Sequence, residues 1–290
     1  MRVLVLGGSG SIGSAVSSVL IQEGFDVYAL SRSSTSENQM LDLGAKTIRG
    51  DIRRPDEWID CLQEMDAVIH AASTWSDDMD VVDRRLVSAL VEGLKTPDSS
   101  KALIYTGGCW LYGNTGDHIA TESSPLCSIP SFLWTIELIE SLLSEPNVRG
   151  MVVHPAMVYE RNGGVFEQMY KDIETIGYAR IFSDPAVRWP LIHKRDLAQV
   201  YLLMLRKGVS GDVFNASAIE GVAIGDIANA ISIDAKSSRD PLICDVSVAM
   251  SEFGEWAEGY ALDQRISGQK ARFDLNWKPE HIDVYRDIYS

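Results

Sequence analysis

Three observations predict an α/β protein with a doubly wound, mostly parallel sheet and a smaller C-terminal lobe. The run Arg2–Leu6 (RVLVL) is too short for a helix and rich in β-branched residues, so it reads as a buried strand. Gly7, Gly10 and Gly13 follow at GxxGxxG spacing, and Ile12, Ala15, Val16, Val19 and Leu20 then fall on one helical face. Strands and helical patterns go on alternating through the first half, at a pitch that gives right-handed crossovers and a sheet covered on both faces.

Taken in order, the second strand is expected at residues 25–30 and the third at 45–49, ending at Gly50 and Asp51. Asp51 opens the turn into a helix expected over 55–63, and capping by itself would account for that acid. Ala67–His70 is the fourth strand, closing with Ala71, Ala72 and Ser73, and a long helical pattern covers 77–94. The fifth strand is expected at 102–105, an apolar helix at 130–144, and the sixth strand at 150–154, stopped by Pro155. Beyond it the pattern loosens. Helices are expected at 165–176, 196–206, 224–231, Val246–Phe253 and 263–273, a short strand at 212–215, and a loop over 182–190. There are no internal repeats and no low-complexity linker. The expected division is therefore a main domain over 1–158 and 188–216, with 159–187 and 217–290 woven into a lobe.

Composition removes several classes of function. At 290 residues and 46% hydrophobic, the chain can bury one large core or a core with a subsidiary lobe. A formal charge of −15 argues against nucleic acid or an anionic membrane surface as the main partner. Cys61, Cys109, Cys127 and Cys244 are scattered, without metal-type spacing, as expected of reduced thiols. The chain shows no signal-peptide pattern and no apolar run of membrane length, so a soluble, cytoplasmic protein acting on a small molecule is expected, with no metal. The oligomeric state is not readable from the sequence.

The opening turn carries the chemistry. Glycines between a strand and a helix allow a tight turn, close approach of a pyrophosphate and packing of helix on strand. The helix start adds free N–H groups and a positive dipole end. Gly7, Ser9, Gly10, Ser11, Ile12 and Gly13 are thus the expected phosphate contacts; a glycine turn that binds nothing is the alternative. About twenty residues on, where a carboxylate usually meets an unphosphorylated ribose, stand Arg32 and Ser33. No acid occurs there, which suits a 2′-phosphate and hence NADP ahead of NAD; the alternative is a solvated arginine in a polar loop. Asp51, the small residues Ala71, Ala72 and Ser73, and Thr106 and Pro155 at strand ends complete the expected cofactor contacts.

These pieces, with several downstream, resemble the short-chain dehydrogenase/reductase superfamily in its extended, epimerase/dehydratase-like form. The matching segments are GGSGSIG at residues 7–13, Gly50–Asp51, HAAS at 70–73, LYG at 111–113, HPAMVY at 154–159, WPLIHKRDLA at 189–198 and LNWKP at 275–279. The resemblance implies a Rossmann domain binding NAD or NADP and a smaller lobe that shapes the substrate pocket. It also exposes departures. Such proteins typically carry a serine or threonine after strand five and a Tyr-x-x-x-Lys pair on the next helix, where lysine and ribose tune the tyrosine as an acid–base group. Here Gly108, Phe132 and Ile136 occupy those places.

Replacement candidates for the chemistry are Thr106, Cys109, Tyr159 and Glu160; strand-end capping is the alternative for Thr106, a core thiol for Cys109 and a loop charge for Glu160, while Tyr112 of the YG pair reads as structural. His193 reads as packing or helix-start hydrogen bonding rather than catalysis. The expected function is an atypical NADP-dependent oxidoreductase acting on a small carbonyl or activated double bond. The alternatives are a non-redox NADP-binding sensor, or an isomerase or lyase using the same pocket.

Overall fold

The computed structural model describes residues 1–98 and 100–290. Contacts divide the chain into two compact units, one of residues 1–107, 134–154 and 197–214, the other of 108–133, 155–196 and 215–290. The chain runs β1 (Arg2–Leu6), α1 (Ser11–Gln22), β2 (Asp26–Ser31), α2 (Ser34–Asp42), β3 (Lys46–Arg49), β4 (Ala67–His70), α3 (Met79–Leu94), β5 (Ala102–Thr106), α4 (Leu133–Leu143) and β6 (Arg149–Pro155). It continues with β7 (Met157–Glu160), β8 (Gly163–Gly164), α5 (Glu167–Ile176), β9 (Arg180–Ile181), β10 (Arg188–His193), α6 (Lys194–Lys207) and β11 (Val213–Ala216). It ends with β12 (Ile219–Ala223), α7 (Ile224–Asp234), β13 (Leu242–Ile243), α8 (Val246–Phe253), α9 (Gln269–Asp274) and α10 (Val284–Tyr289).

Seven strands form the main sheet in the order β11-β6-β5-β4-β1-β2-β3. Strand β1 pairs in parallel with both β2 and β4, Val3 lying opposite Val27 on one side and Ala67 on the other. Val3 to Leu6 and Ala67 to His70 are buried, as befits central strands covered on both faces. Strand order reverses between β1 and β4. In open α/β sheets, ligands bind outside the carboxyl ends of the strands at that point.

The second unit holds a mixed sheet, β12-β10-β7-β8. Proline has no N–H for a ladder, and Pro190 sits where the β10–β12 register shifts between Trp189 and Leu191. That bulge lets a central strand carry a proline. It also explains why 182–190 reads as a loop, although β10 begins at Arg188. Asp196 ties the C-terminal segment to this unit. Its carboxylate accepts from the backbone N–H groups of Glu280 (3.0 Å) and His281 (2.8 Å), and its carbonyl accepts from the Trp277 indole (3.1 Å).

Other expectations also need correction. The helix expected over 55–63 is two 3₁₀ segments, Pro55–Glu57 and Ile59–Glu64. Trp58 separates them with φ −139°, its buried indole donating to the Asp51 carbonyl (2.9 Å). Only Gln269–Asp274 of the expected 263–273 helix forms. Gln264 N–H instead donates to Arg188 O, and Ile266 bridges Ala120. Pro155 does not stop β6 but is its last residue.

His154 and His193 are buried, and burial pulls both imidazoles down to about 4; His281, stacked 3.7 Å from His193, adds to the latter, against Asp287 and Asp196. The unfolded chain therefore binds more protons than the folded one between the ordinary histidine value and about 4. Stability is fully present above the ordinary value and is lost as pH falls. From pH 7.5 to 5.5 the loss should be about 1.4 kcal/mol per histidine, about 3 kcal/mol for the pair. Urea denaturation across that range checks this, and a flat profile would contradict it.

Candidate functional site

The turn after β1 is shaped by backbone contact. Gly7 has φ +79°, and a Cβ there would lie 2.5 Å from the carbonyl oxygen of Ala71, just past β4. A Cβ at Gly13 would overlap the carbonyl of Gly7 and the Cα of Gly8, so α1 presses directly on the strand end. Gly10 differs. It caps α1 with an ordinary φ of −77° and no side-chain bond, and its Cβ would meet only Gly7 O at 3.3 Å. Ser9 and Gly10 are exposed, and Ser11 and Ile12 half-buried, so the helix start opens outward. The first N–H groups of a helix lack intrahelical acceptors and sit at its positive end. The turn is thus a glycine-rich cradle at the topological switch point, and it fits the pyrophosphate of a dinucleotide. Gln39 of α2 donates to Ser9 O (3.2 Å), tying the turn to the segment after β2.

That segment holds Arg32, exposed and with no hydrogen bond or ion pair to any described residue. Arg49 and Arg53 nearby are committed instead, to Glu37 and Asp78. Ser33 is the N-cap of α2, its Oγ accepting from Ser36 N–H (3.2 Å) in a reciprocal capping box. This helix escapes the sequence pattern because Met40 is its only buried residue. The cap serine three residues before another serine was the available signal. Asp51 accepts from Arg53 N–H (2.9 Å), the local capping role open to it from the sequence. Ala71 and Ala72 are half-buried and Ser73 exposed, all just beyond β4. Pro155 is buried at the end of β6.

Thr106 ends β5, half-buried, with its Oγ1 2.6 Å from the hydroxyl of Tyr201. Tyr201 is fully buried, and burial raises its phenol well above the ordinary value, so the proton stays on oxygen. Cys109 is buried and its thiol pushed up to about 12, which keeps it protonated and un-nucleophilic near neutrality. The Tyr159 hydroxyl donates to Asp287 (2.6 Å) from a buried position, and burial with that carboxylate raises its phenol further. Glu160 forms an ion pair with Lys194. Tyr112 donates to Asn215 (2.8 Å), a framework contact. One cluster went unread in the sequence. His70 Nε2 lies 2.5 Å from Asp83, which also accepts from Tyr105 (2.6 Å).

The three departures have distinct surroundings. Gly108 is extended, and a Cβ there would meet nothing within 4 Å, so the fold does not demand glycine. Phe132 closes a 3₁₀ turn, its ring centroid 5.9 Å from that of Trp110. Ile136 is half-buried within α4. Among the described residues, no group of three or more His, Cys, Asp or Glu is placed to hold a metal ion, and no helix is long and apolar enough to cross a membrane.

A parallel sheet in this order, with a bare glycine cradle at its switch point, defines a Rossmann-type protein of the short-chain dehydrogenase/reductase class. The chain belongs to the NAD dependent epimerase/dehydratase family, whose model matches residues 3–217. It is 27% identical over 303 residues to an uncharacterized protein of Saccharomyces cerevisiae, covering 99% of this chain and 98% of that one. Its fold matches UDP-glucuronic acid 4-epimerase from Bacillus cereus, solved with UDP-glucuronic acid and NAD, at 18% identity and TM-score 0.80, covering 99% and 96% of the two chains. It also matches a human epimerase family protein solved with NADPH at 20% identity and TM-score 0.79, covering 100% and 98%.

Two glycine variants separate cradle from fold. Gly13→Ala should destabilise by about 1–3 kcal/mol through overpacking against Gly7. Gly10→Val should keep the wild-type circular dichroism and melting temperature yet lose most NADPH affinity in calorimetry. Unchanged affinity in folded Gly10→Val would remove the cradle assignment.

Proposed function

We propose that the protein is an atypical NADP-dependent oxidoreductase acting on a small, already activated carbonyl or double bond. The observation that carries the cofactor preference is Arg32: a guanidinium without a described partner, directly after β2, where no carboxylate stands to accept from a ribose. The cradle of Gly7 to Gly13 would take the pyrophosphate and Arg32 the 2′-phosphate. The bound nicotinamide would supply hydride.

The chain's own contribution to proton handling is modest. Tyr201 can donate to Thr106, leaving the Thr106 hydroxyl proton for a substrate oxygen at the end of β5. Thr106 then acts as a hydrogen-bond donor that polarises the substrate, and water supplies the proton retained in product. Phe132 and Ile136 remove the phenol and ammonium that would otherwise serve, an absence expected to cost about 10²–10⁴-fold on unactivated substrates. Those same losses favour a second reading, a sensor that binds NADP without turnover.

Arg32→Ala should weaken NADPH roughly ten- to a hundredfold, as one or more charge-assisted bonds of about 1.5–3 kcal/mol would be lost, and leave NADH nearly unchanged. Calorimetry with both cofactors reads this. Wild-type protein that prefers NADH would overturn the preference. Steady-state assays should show slow or no turnover of simple secondary alcohols. Brisk alcohol oxidation would contradict the reading of Phe132. Redox silence across activated carbonyls, with NADPH still bound, would select the sensor.

A further inference from the structure

The second unit contains a tyrosine whose hydroxyl is unlike those of the core. Each buried tyrosine has a partner for its phenol: Tyr105 on Asp83, Tyr112 on Asn215, Tyr159 on Asp287, Tyr170 on Asp234 and Tyr201 on Thr106. That is the ordinary state, because a phenol withdrawn from water without a hydrogen bond is costly. Tyr260 is half-buried, so its hydroxyl is open to a ligand or to solvent. Its backbone carbonyl accepts from the Trp189 indole (3.0 Å), but its hydroxyl has no hydrogen bond to any described residue. Burial alone raises that phenol to about 12, so it stays protonated and able to donate.

Aromatic rings surround it. The Tyr260 centroid lies 5.7 Å from Trp110, 5.7 Å from Trp189, 5.9 Å from Trp256 and 6.5 Å from Phe182. Trp110 stacks on Trp256 at 6.1 Å with planes 22° apart, and the Phe132 ring lies 5.9 Å from Trp110. Trp110, Phe132, Trp256 and Tyr260 are all half-buried and keep part of their ring surface in solvent. The seat of Trp110 is specific to this chain's residues, because a Cβ at Gly259 would overlap its indole. Half-exposed, nearly parallel indoles offer stacking surface to a flat ring, and the lone phenol offers one donor.

We propose that the second unit binds a planar aromatic ketone or aldehyde, its ring against Trp110 and Trp256 and its carbonyl oxygen accepting from Tyr260 Oη. This binding, within the second unit, goes beyond the oxidoreductase reading and can be tested by itself. The Phe132 substitution acquires a positive sense here, since an apolar ring continues the aromatic surface where the family keeps a phenol.

The test uses protein labelled with ¹⁵N at tryptophan, the Trp110 and Trp256 indole signals being assigned with single Trp→Phe variants. Acetophenone should shift both signals, and ethylbenzene, with the same ring and no acceptor, should shift them with weaker affinity. Tyr260→Phe should weaken acetophenone about three- to tenfold, the loss of one neutral hydrogen bond, and leave ethylbenzene unchanged. Cyclohexyl methyl ketone should bind more weakly than acetophenone. Indole signals unmoved by acetophenone, or equal acetophenone affinity in wild type and Tyr260→Phe, would overturn the proposal. NADPH calorimetry on the same samples keeps the two readings apart: lost cofactor binding with acetophenone still bound would defeat the oxidoreductase reading alone.

Discussion

The structure depends on one backbone contact, Gly7 against Ala71 on one side and Gly13 on the other. Gly7 holds φ +79°, its carbonyl accepts from Gly10 N–H (3.0 Å), and no Cβ fits at 7 or 13 without overlap. That contact brings the carboxyl ends of β1 and β4 together and starts α1 at Ser11. An anion can approach there because Gly10, at the helix start, carries no side chain. Gly10 serves neither packing nor an unusual φ, so its lack of a side chain is the feature left for a ligand.

Around this cradle the polar groups are allocated unevenly. The buried phenols at Tyr105, Tyr112, Tyr159, Tyr170 and Tyr201 are bonded, and Glu160 is held by Lys194. Cys109 is kept protonated by burial. Two accessible donors have no hydrogen bond to a described residue: the Arg32 guanidinium in the first unit and the Tyr260 hydroxyl in the second. Gly108 has open space where a side chain would point, so the fold does not require glycine there.

The parts legible in the sequence are those whose pattern has one physical cause. Continuous apolar runs gave β1 and β4, since only a doubly covered strand needs them, and the glycine spacing gave the turn. Segments 189–198 and 275–279 could be matched as motifs, but their joint purpose, Asp196 gripping the chain from Trp277 to His281, needs three dimensions. Helix α2 escaped because it buries a single residue, and β10 because Pro190 hides a bulged central strand. Arg32 could be singled out in the sequence from a missing acid. Tyr260 could not, because no local pattern tells which distant rings a half-buried tyrosine will meet.

The most direct test of the account is a crystal structure of the protein grown with NADPH. The account predicts the 2′-phosphate within hydrogen-bond distance of the Arg32 guanidinium and the pyrophosphate over Gly10 to Ile12 at the start of α1. A dinucleotide whose 2′-phosphate lies away from Arg32, or whose pyrophosphate avoids the glycine turn, would contradict it.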